Sequence, residues 1–361
     1  MAVTQTTDIT GYNLEMAMLT ILQALRKTPI LLSSAFATNP MLATQLLKSG
    51  EGGLAPHSLA IPNLAPLAAG SSVISDDPDQ KITGTKITGG KSLVYPAFRA
   101  VSPQATGMSQ HFGGYSITDY TQSQLATFWA GELETMLLSA LNGVFAYNAT
   151  TTDANHVQNS MIKDVSGTAY EKGVTNLCYE TLLRAKAEIM GEQGDRIVCA
   201  VVHSVVAAGL GILTANQQQI NIVPGANGSQ YSLVNPVPLE FAGLNIIVSD
   251  SVPFVNGVAT SYLLGEARLM AAMTPHDQPN LPALAVFVDQ DAANGGGVIK
   301  VYSRTALAVH PVGFSFIPPV SGYSIGGPTA AQFATAANWQ QDYEQKRIGL
   351  MAIKTREYEA V

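Results

Sequence analysis

Few places in this 361-residue sequence gather side chains that could do chemistry. Gly84–Ser92 (GTKITGGKS) has the residue types of a phosphate-binding loop, where backbone N–H groups and a lysine cradle phosphate oxygens. The spacing is off by one: Thr85 stands where the first glycine belongs. Such a loop must also open a helix, and the following SLVYP, with Pro96, reads as strand. The segment therefore reads as an exposed Gly/Lys hairpin. Gly209-Leu-Gly211 resembles the start of a dinucleotide fingerprint, but Thr214 replaces the third glycine and no acid follows at ribose distance. Its glycines fall inside a helix, where they serve close packing.

The six histidines (His57, His111, His156, His203, His276 and His310) show no zinc-ligand spacing. His203, at the end of a buried strand, could act as a base, but reads first as a satisfied strand-end histidine; His276-Asp277 reads as turn chemistry. Asp289-Gln-Asp291 before Asn294 hints at a calcium loop, yet Ala293 and Lys300 occupy positions that need oxygen ligands, so a flexible turn is expected. Gly114-Tyr-Ser116-Ile-Thr118 lacks the last glycine of a nucleophile elbow. Glu132 and Glu134 could form a general-acid pair but read as the solvated edge of a helix. No catalytic, cofactor-binding or metal-ligating residue is expected, and no cofactor.

The elements that would hold such residues are built with little charge. The chain has 19 basic and 26 acidic residues, 12% in all, against roughly 25% in a typical soluble domain. A net charge of −7 argues against general binding to phosphate backbones. Hydrophobic residues at 47% exclude a disordered chain, and no window reaches the roughly 18 apolar residues of a membrane-spanning helix. Cys178 and Cys199, isolated in sequence, fit buried thiols in a reducing compartment. Met16–Leu25 has acids before it and bases after it, the reverse of a secretion signal, so the sequons at Asn148 and Asn227 read as chance.

Leu14–Lys27 reads as an amphipathic helix and 50–70 as a linker or extended arm. Asp76, Asp77 and Asp79 form an acidic cluster; from Lys81 to Thr118 there is no acid, while Lys81, Lys86, Lys91 and Arg99 are basic. KITGTKITGGKSLVYPAFRA reads as a pair of solvated strands that must lie on another surface, because such a hairpin cannot stabilise itself. From Leu125 to Phe145 apolar residues recur at helical spacing, predicting a helix from about Asp119 to Phe145, roughly 40 Å long. Further helices are expected at 176–190 and from a Ser204 cap through Leu213, with a buried strand at 196–203. Strands are expected at 244–248, 261–264, 298–316 and 348–354, with a short helix near Trp339. Helices and strands without βαβ alternation indicate an α+β chain. Residues 197–239 and 305–341 carry no formal charge, which reads as surface reserved for contact with other copies.

Several stretches in order resemble the major capsid proteins of tailed double-stranded DNA phages, with the Hong Kong 97-type (Johnson) fold: KITGTKITGG, YTQSQLATFWAGELETMLLSALNGVFA, IVCAVVHSVVAAGLG, GLNIIVSDSVPFVNGVATSYLLGEARL, RTALAVHPVGFSF and NWQQDYEQKRIGLMAIKTRE. The resemblance runs from about residue 70 to the C-terminus. It implies an N-terminal arm (1–50), an extended E-loop (51–116) and a peripheral domain with a spine helix (117–199). An axial domain (200–298) and a peripheral return strand with C-terminal extension (299–361) complete it. It further implies a non-enzymatic subunit that assembles in the host cytoplasm into pentamers and hexamers of an icosahedral virion capsid. The implied partners are other copies, a portal protein, a separate scaffolding protein and packaged DNA held without sequence specificity; a decoration protein is left open, and no membrane is involved. Asp76, Asp77, Asp79, Lys81, Lys86, Lys91 and Arg99 are the expected assembly interface, pairing across subunits. The family's isopeptide cross-link is not assigned to any residue. An encapsulin-like compartment shell and a cytosolic hydrolase acting through His203 or Glu132 are the alternative readings.

Overall fold

Neighbouring residues along the central strands belong to different cores, and this alternation organises the molecule. The structure, a computed structural model, describes residues 30, 33–38, 42, 58–64, 79, 89–106, 117–150, 161–218, 240–274, 286–291, 297–324, 326–343 and 345–357. The helix expected at Leu14–Lys27 lies outside them.

In chain order, β1 (Phe36–Thr38) and β2 (Leu59–Leu64) precede β3 (Gly89–Val94), β4 (Ala97–Val101) and β5 (Gln104–Thr106). Helix α1 (Ile117–Thr150) leads to β6 (Ile162–Asp164), α2 (Tyr179–Met190), β7 (Ile197–Val202) and α3 (Ser204–Gln218). Then come β8 (Glu240–Phe241), β9 (Leu244–Val248), β10 (Phe254–Val255), β11 (Val258–Gly265) and β12 (Leu269–Thr274). The chain continues through β13 (Val286–Asp291), β14 (Val298–Pro311), β15 (Phe314–Phe316) and α4 (Ala330–Phe333). It closes with β16 (Trp339–Gln341), α5 (Gln345–Ile348) and β17 (Leu350–Arg356).

One sheet runs β6-β17-β11-β7-β9-β8, with β10 on β11. Its strands are apolar at consecutive positions because both faces are covered. Cys199, Val201, Tyr262, Leu264, Leu350 and Ala352 join the core around α1. Ala200, Val202, Leu263, Met351 and Ile353 point the other way, to the core built with α2 and α3. This is the period-2 geometry of a strand serving two layers. The strand expected at 196–203 is β7, buried for this reason. The expected segment boundary at 199/200 falls inside it, and the sheet draws strands from three of the expected segments.

The second sheet is centred on β14. Ala306 and Leu307 pair with both β12 and β4, so those strands flank it on opposite edges; β13 and β5 do the same for Val298–Lys300. Leu307 and Val309 enter the α1 core, while Ala306 and Ala308 face a small cluster with Leu42, Leu59, Val94 and Ala272. Most pairings are antiparallel; β1–β12, β6–β17 and β7–β9 are parallel. Helices and mixed sheets make the chain α+β, as expected.

Helix α1 has 34 residues, about 51 Å at 1.5 Å per residue, longer at both ends than its apolar spacing predicts. Met136, Leu137, Leu138, Ala140, Leu141, Val144 and Phe145 are all buried, because the sheets cover one side and the α4–β16 segment the other. At Gly143 any Cβ would fall on the Phe333 carbonyl and the Trp339 indole, so only glycine admits that close approach. Trp129 Nε1 donates to Ser303 Oγ at 2.9 Å, tying the helix to β14. Phe128, part of the expected apolar ridge, is instead 46% exposed.

Two expectations are corrected. Asp289-Gln-Asp291 is not a turn: it lies in β13, antiparallel to β14, with Asp289 opposite Lys300. The next strand in the chain, β14, supplies the ladder hydrogen bonds, which the acidic and glycine-rich composition does not announce. The charge-free run is only partly surface. Residues 305–316 are buried within this chain, and exposed positions begin at Ile317. The short helix expected near Trp339 is present as the 3-10 turn Ala336–Asn338, and Trp339 itself begins a strand. Asn148 is fully buried and accepts a hydrogen bond from the Met161 N–H at 3.3 Å, which is no place for a glycan.

Candidate assembly surface

The segment expected to carry the assembly charges divides into two parts. Gly89–Val94 does not pair with the strand after it. It runs antiparallel to β2, Leu59 opposite Val94 and Leu64 opposite Gly89, so the ribbon takes in part of the expected 50–70 linker. The chain breaks at Tyr95-Pro96, where proline denies a ladder donor. The Tyr95 ring packs edge-on against Phe316 and Tyr323, 5.8 and 5.9 Å between centroids. The chain then enters the β14 sheet as β4. Of the expected strand pair, 81–88 lies outside the described residues; the described part is a β2–β3 ribbon followed by a body strand.

The ribbon is anchored at its base. Leu59 and Val94 are buried against Ala306 and Ala308, and the Leu93 N–H donates to Ser315 Oγ at 2.9 Å. Ser315 in turn donates to Asp342 at 2.6 Å, and burial holds the Asp342 carboxyl above the usual carboxylate range. The other end, Gly89, Gly90 and Lys91, is exposed. Such an element is not stable by itself and needs a surface under it. Here the base finds that surface within its own chain.

Of the expected interface residues, Asp76, Asp77, Lys81 and Lys86 lie outside the described residues. Asp79 is exposed. Lys91 is exposed opposite Pro62 and makes no salt bridge among the described residues. Arg99 differs. It sits on β4, donates to the carbonyls of Gly326, at 3.1 Å, and Pro328, and lies 4.0 Å from Glu132 of α1. Burial lowers its pKa and Glu132 acts in the opposite sense. Arg99 is thus committed to its own chain, and the structure does not bring it together with Lys91 in a common patch.

The candidate catalytic residues are likewise in structural use. Glu134 accepts from the Ser249 hydroxyl, linking α1 to the end of β9, while Glu132 faces Arg99. His203 Nδ1 accepts the Val205 N–H at 3.2 Å, so the histidine side chain, not that of Ser204, satisfies an orphan donor at the start of α3. Its ring stacks on Phe254 at 4.9 Å, with Nε2 3.9 Å from Asp250. Gly209 packs against Glu357, whose carboxylate would lie 3.3 Å from any Cβ there. Cys199 is buried, its thiol pushed up to about 11; Cys178 is half-buried.

No protein-family model matches the sequence. The major capsid protein of Bacillus phage SPP1 is 26% identical over 334 residues, covering 90% of this chain and 91% of that protein. Among solved structures, the capsid of Ralstonia phage GP4 aligns with a TM-score of 0.51 at 14% identity, covering 83% of each chain. The chain has the fold of a phage capsid protein. In that fold the long helix α1 and the central β14 are the frame, and the ribbon is the element that leaves it. Charge patterning located the ribbon in the sequence. It did not locate β2 as partner, because Leu59–Leu64 is masked by its Gly/Pro-rich surroundings. The exposed rings of Phe98 (41%) and Phe128 were also missed, since both carry the signature of core residues.

Proposed function

We propose that this chain is the major capsid subunit of a tailed phage. Copies of it assemble as pentamers and hexamers into the icosahedral virion shell around double-stranded DNA. The role is structural, not enzymatic. The observation that carries the reading is the agreement between a capsid fold and a capsid-protein relative aligned along nine-tenths of the chain. The ribbon supports it: an element docked only at its base, with an exposed Lys91 at its far end, suits reach toward a neighbour. Exposed Phe98, Phe128 and Val320 add apolar surface that a lone subunit would leave wet.

In this reading 1–50 is the arm, 51–116 the extended loop, 117–199 the peripheral domain, 200–298 the axial domain and 299–361 the return into the periphery. Lys81, Lys86 and Lys91 meet acids of an adjacent subunit, with Asp76, Asp77 and Asp79 as candidate partners. A portal, a separate scaffolding protein and packaged DNA complete the particle. Each exposed charge pair is worth about 0–1 kcal/mol, so such pairs set register more than strength.

Negative-stain microscopy of the expressed protein, alone and with a scaffolding protein, tests this. Shells, tubes or capsomers are expected; compact dimers or tetramers alone would overturn it.

A further inference from the structure

Three arginines converge where the two sheets meet. Arg196 stands just before β7, Arg268 lies in the turn between β11 and β12, and Arg347 is near the end of α5. Backbone bonds fix the junction: the Gly265 N–H donates to the Gly349 carbonyl and the Val312 N–H to the Arg268 carbonyl, both at 2.9 Å. The Arg268 side chain lies across Gly349, where a Cβ would stand 3.0 Å from Nε at a backbone φ of +67°. That Nε is buried and has no hydrogen-bond partner. Arg347 lies over the Tyr343 ring, 5.3 Å from its centroid.

No carboxylate among the described residues forms a salt bridge with any of the three. A cleft of about 620 Å³ opens beside Arg196 and Arg268, lined also by Asp195, Val198, Glu266 and Ala267. Burial lowers the Arg268 pKa and the charges of Arg196 and Arg347 lower it further, with Tyr343 opposing. A half-buried guanidinium with an idle N–H, pressed by two like charges, is costly in the isolated chain. An anion in the cleft would offset the repulsion between the Arg196 and Arg268 guanidinium groups that line it.

The cleft's own walls select which anion. Asp195 and Glu266 oppose every anion, and a polyanionic phosphate backbone more strongly than the single charge of one carboxylate paired with the arginines. With 26 acids against 19 bases, every copy of this chain has carboxylates in excess. We propose that this cleft receives an Asp or Glu side chain from a second copy of the chain in the shell. The inference rests on the capsid reading and names a second contact, separate from the ribbon.

Assembly of purified, DNA-free subunits tests it, using Arg268→Met, which keeps the buried stem, and Arg196→Gln, at an exposed position. Neither variant should lower the subunit's Tm, and shell yield should fall at least about tenfold. Should Arg268→Met fail to fold, Arg196→Gln carries the test. Wild-type shell yield from the folded variants overturns this inference alone; so does normal assembly with loss of only DNA retention, which would make the ligand phosphate. A map of the wild-type shell should show a neighbour's carboxylate against Arg268, and a cleft without one overturns the inference. If the wild-type chain forms no shell of any kind, the capsid reading falls and takes this inference with it.

Discussion

Helix α1 and the β2–β3 ribbon bury apolar surface in opposite proportions. From Leu133 to Phe145 the helix is covered by its own chain on nearly every side, and Gly143 exists to let that cover approach. The ribbon buries the apolar side chains of Leu59 and Val94 at its base, with Ser92 beside them, and exposes Gly89, Gly90 and Lys91. The first arrangement gives a subunit that is stable before assembly. On the proposed reading, the exposed end of the second is completed by a neighbouring subunit. Stability and assembly then fall to different residues, and substitutions should separate them.

The largest effect is expected in the frame. Trp129→Ala removes a buried indole and its bond to Ser303, and should cost about 3–5 kcal/mol in urea denaturation of the subunit. A loss below about 1 kcal/mol would break the contrast, because the helix would not be the frame.

Next comes pH. His310, on β14 and 3% exposed, has its pKa pushed by burial from 6.5 down to about 4. The unfolded chain takes up a proton near pH 6.5, while the folded chain resists until about pH 4. The contribution is therefore whole above pH 6.5 and drains away as pH falls toward 4, by roughly 3 kcal/mol. His310→Gln should flatten this slope in a series of denaturation curves. An unchanged slope would place the acid sensitivity elsewhere.

The smallest effect on the subunit belongs to the ribbon. Lys86→Glu with Lys91→Glu should move subunit stability by less than about 0.5 kcal/mol while shell assembly fails. Normal particles from this variant would sink the interface reading, and a loss of more than about 1 kcal/mol would mean that the ribbon end belongs to the body.

Much of the frame was legible because its signals are local. Helical spacing from Leu125 to Phe145 announced α1, and the unbroken apolar run at 197–202 announced a strand covered on both faces. The ribbon was half legible: the Gly/Lys alternation marked an exposed strand, but its partner Leu59–Leu64 lies far back in the sequence, beyond any local window. Arg99 looked like its basic neighbours. Only the strand break at Tyr95-Pro96 carries it away from Lys91, onto β4 and against Glu132. The arginine junction was illegible, since Arg196, Arg268 and Arg347 are distant in sequence and share no motif.

The sequence by itself determined an α+β chain with a long apolar helix, scarce and segregated charge, and no constellation with catalytic spacing. These are properties of composition and short-range periodicity, which act within one element. Only the tertiary structure decided which neutral stretches are interior, which lysine stays open while Arg99 is consumed, and which distant arginines share a cleft. Those outcomes depend on which strands pair across the chain. Such pairing is governed by burial on both faces of a sheet, a quantity no local window of residues contains.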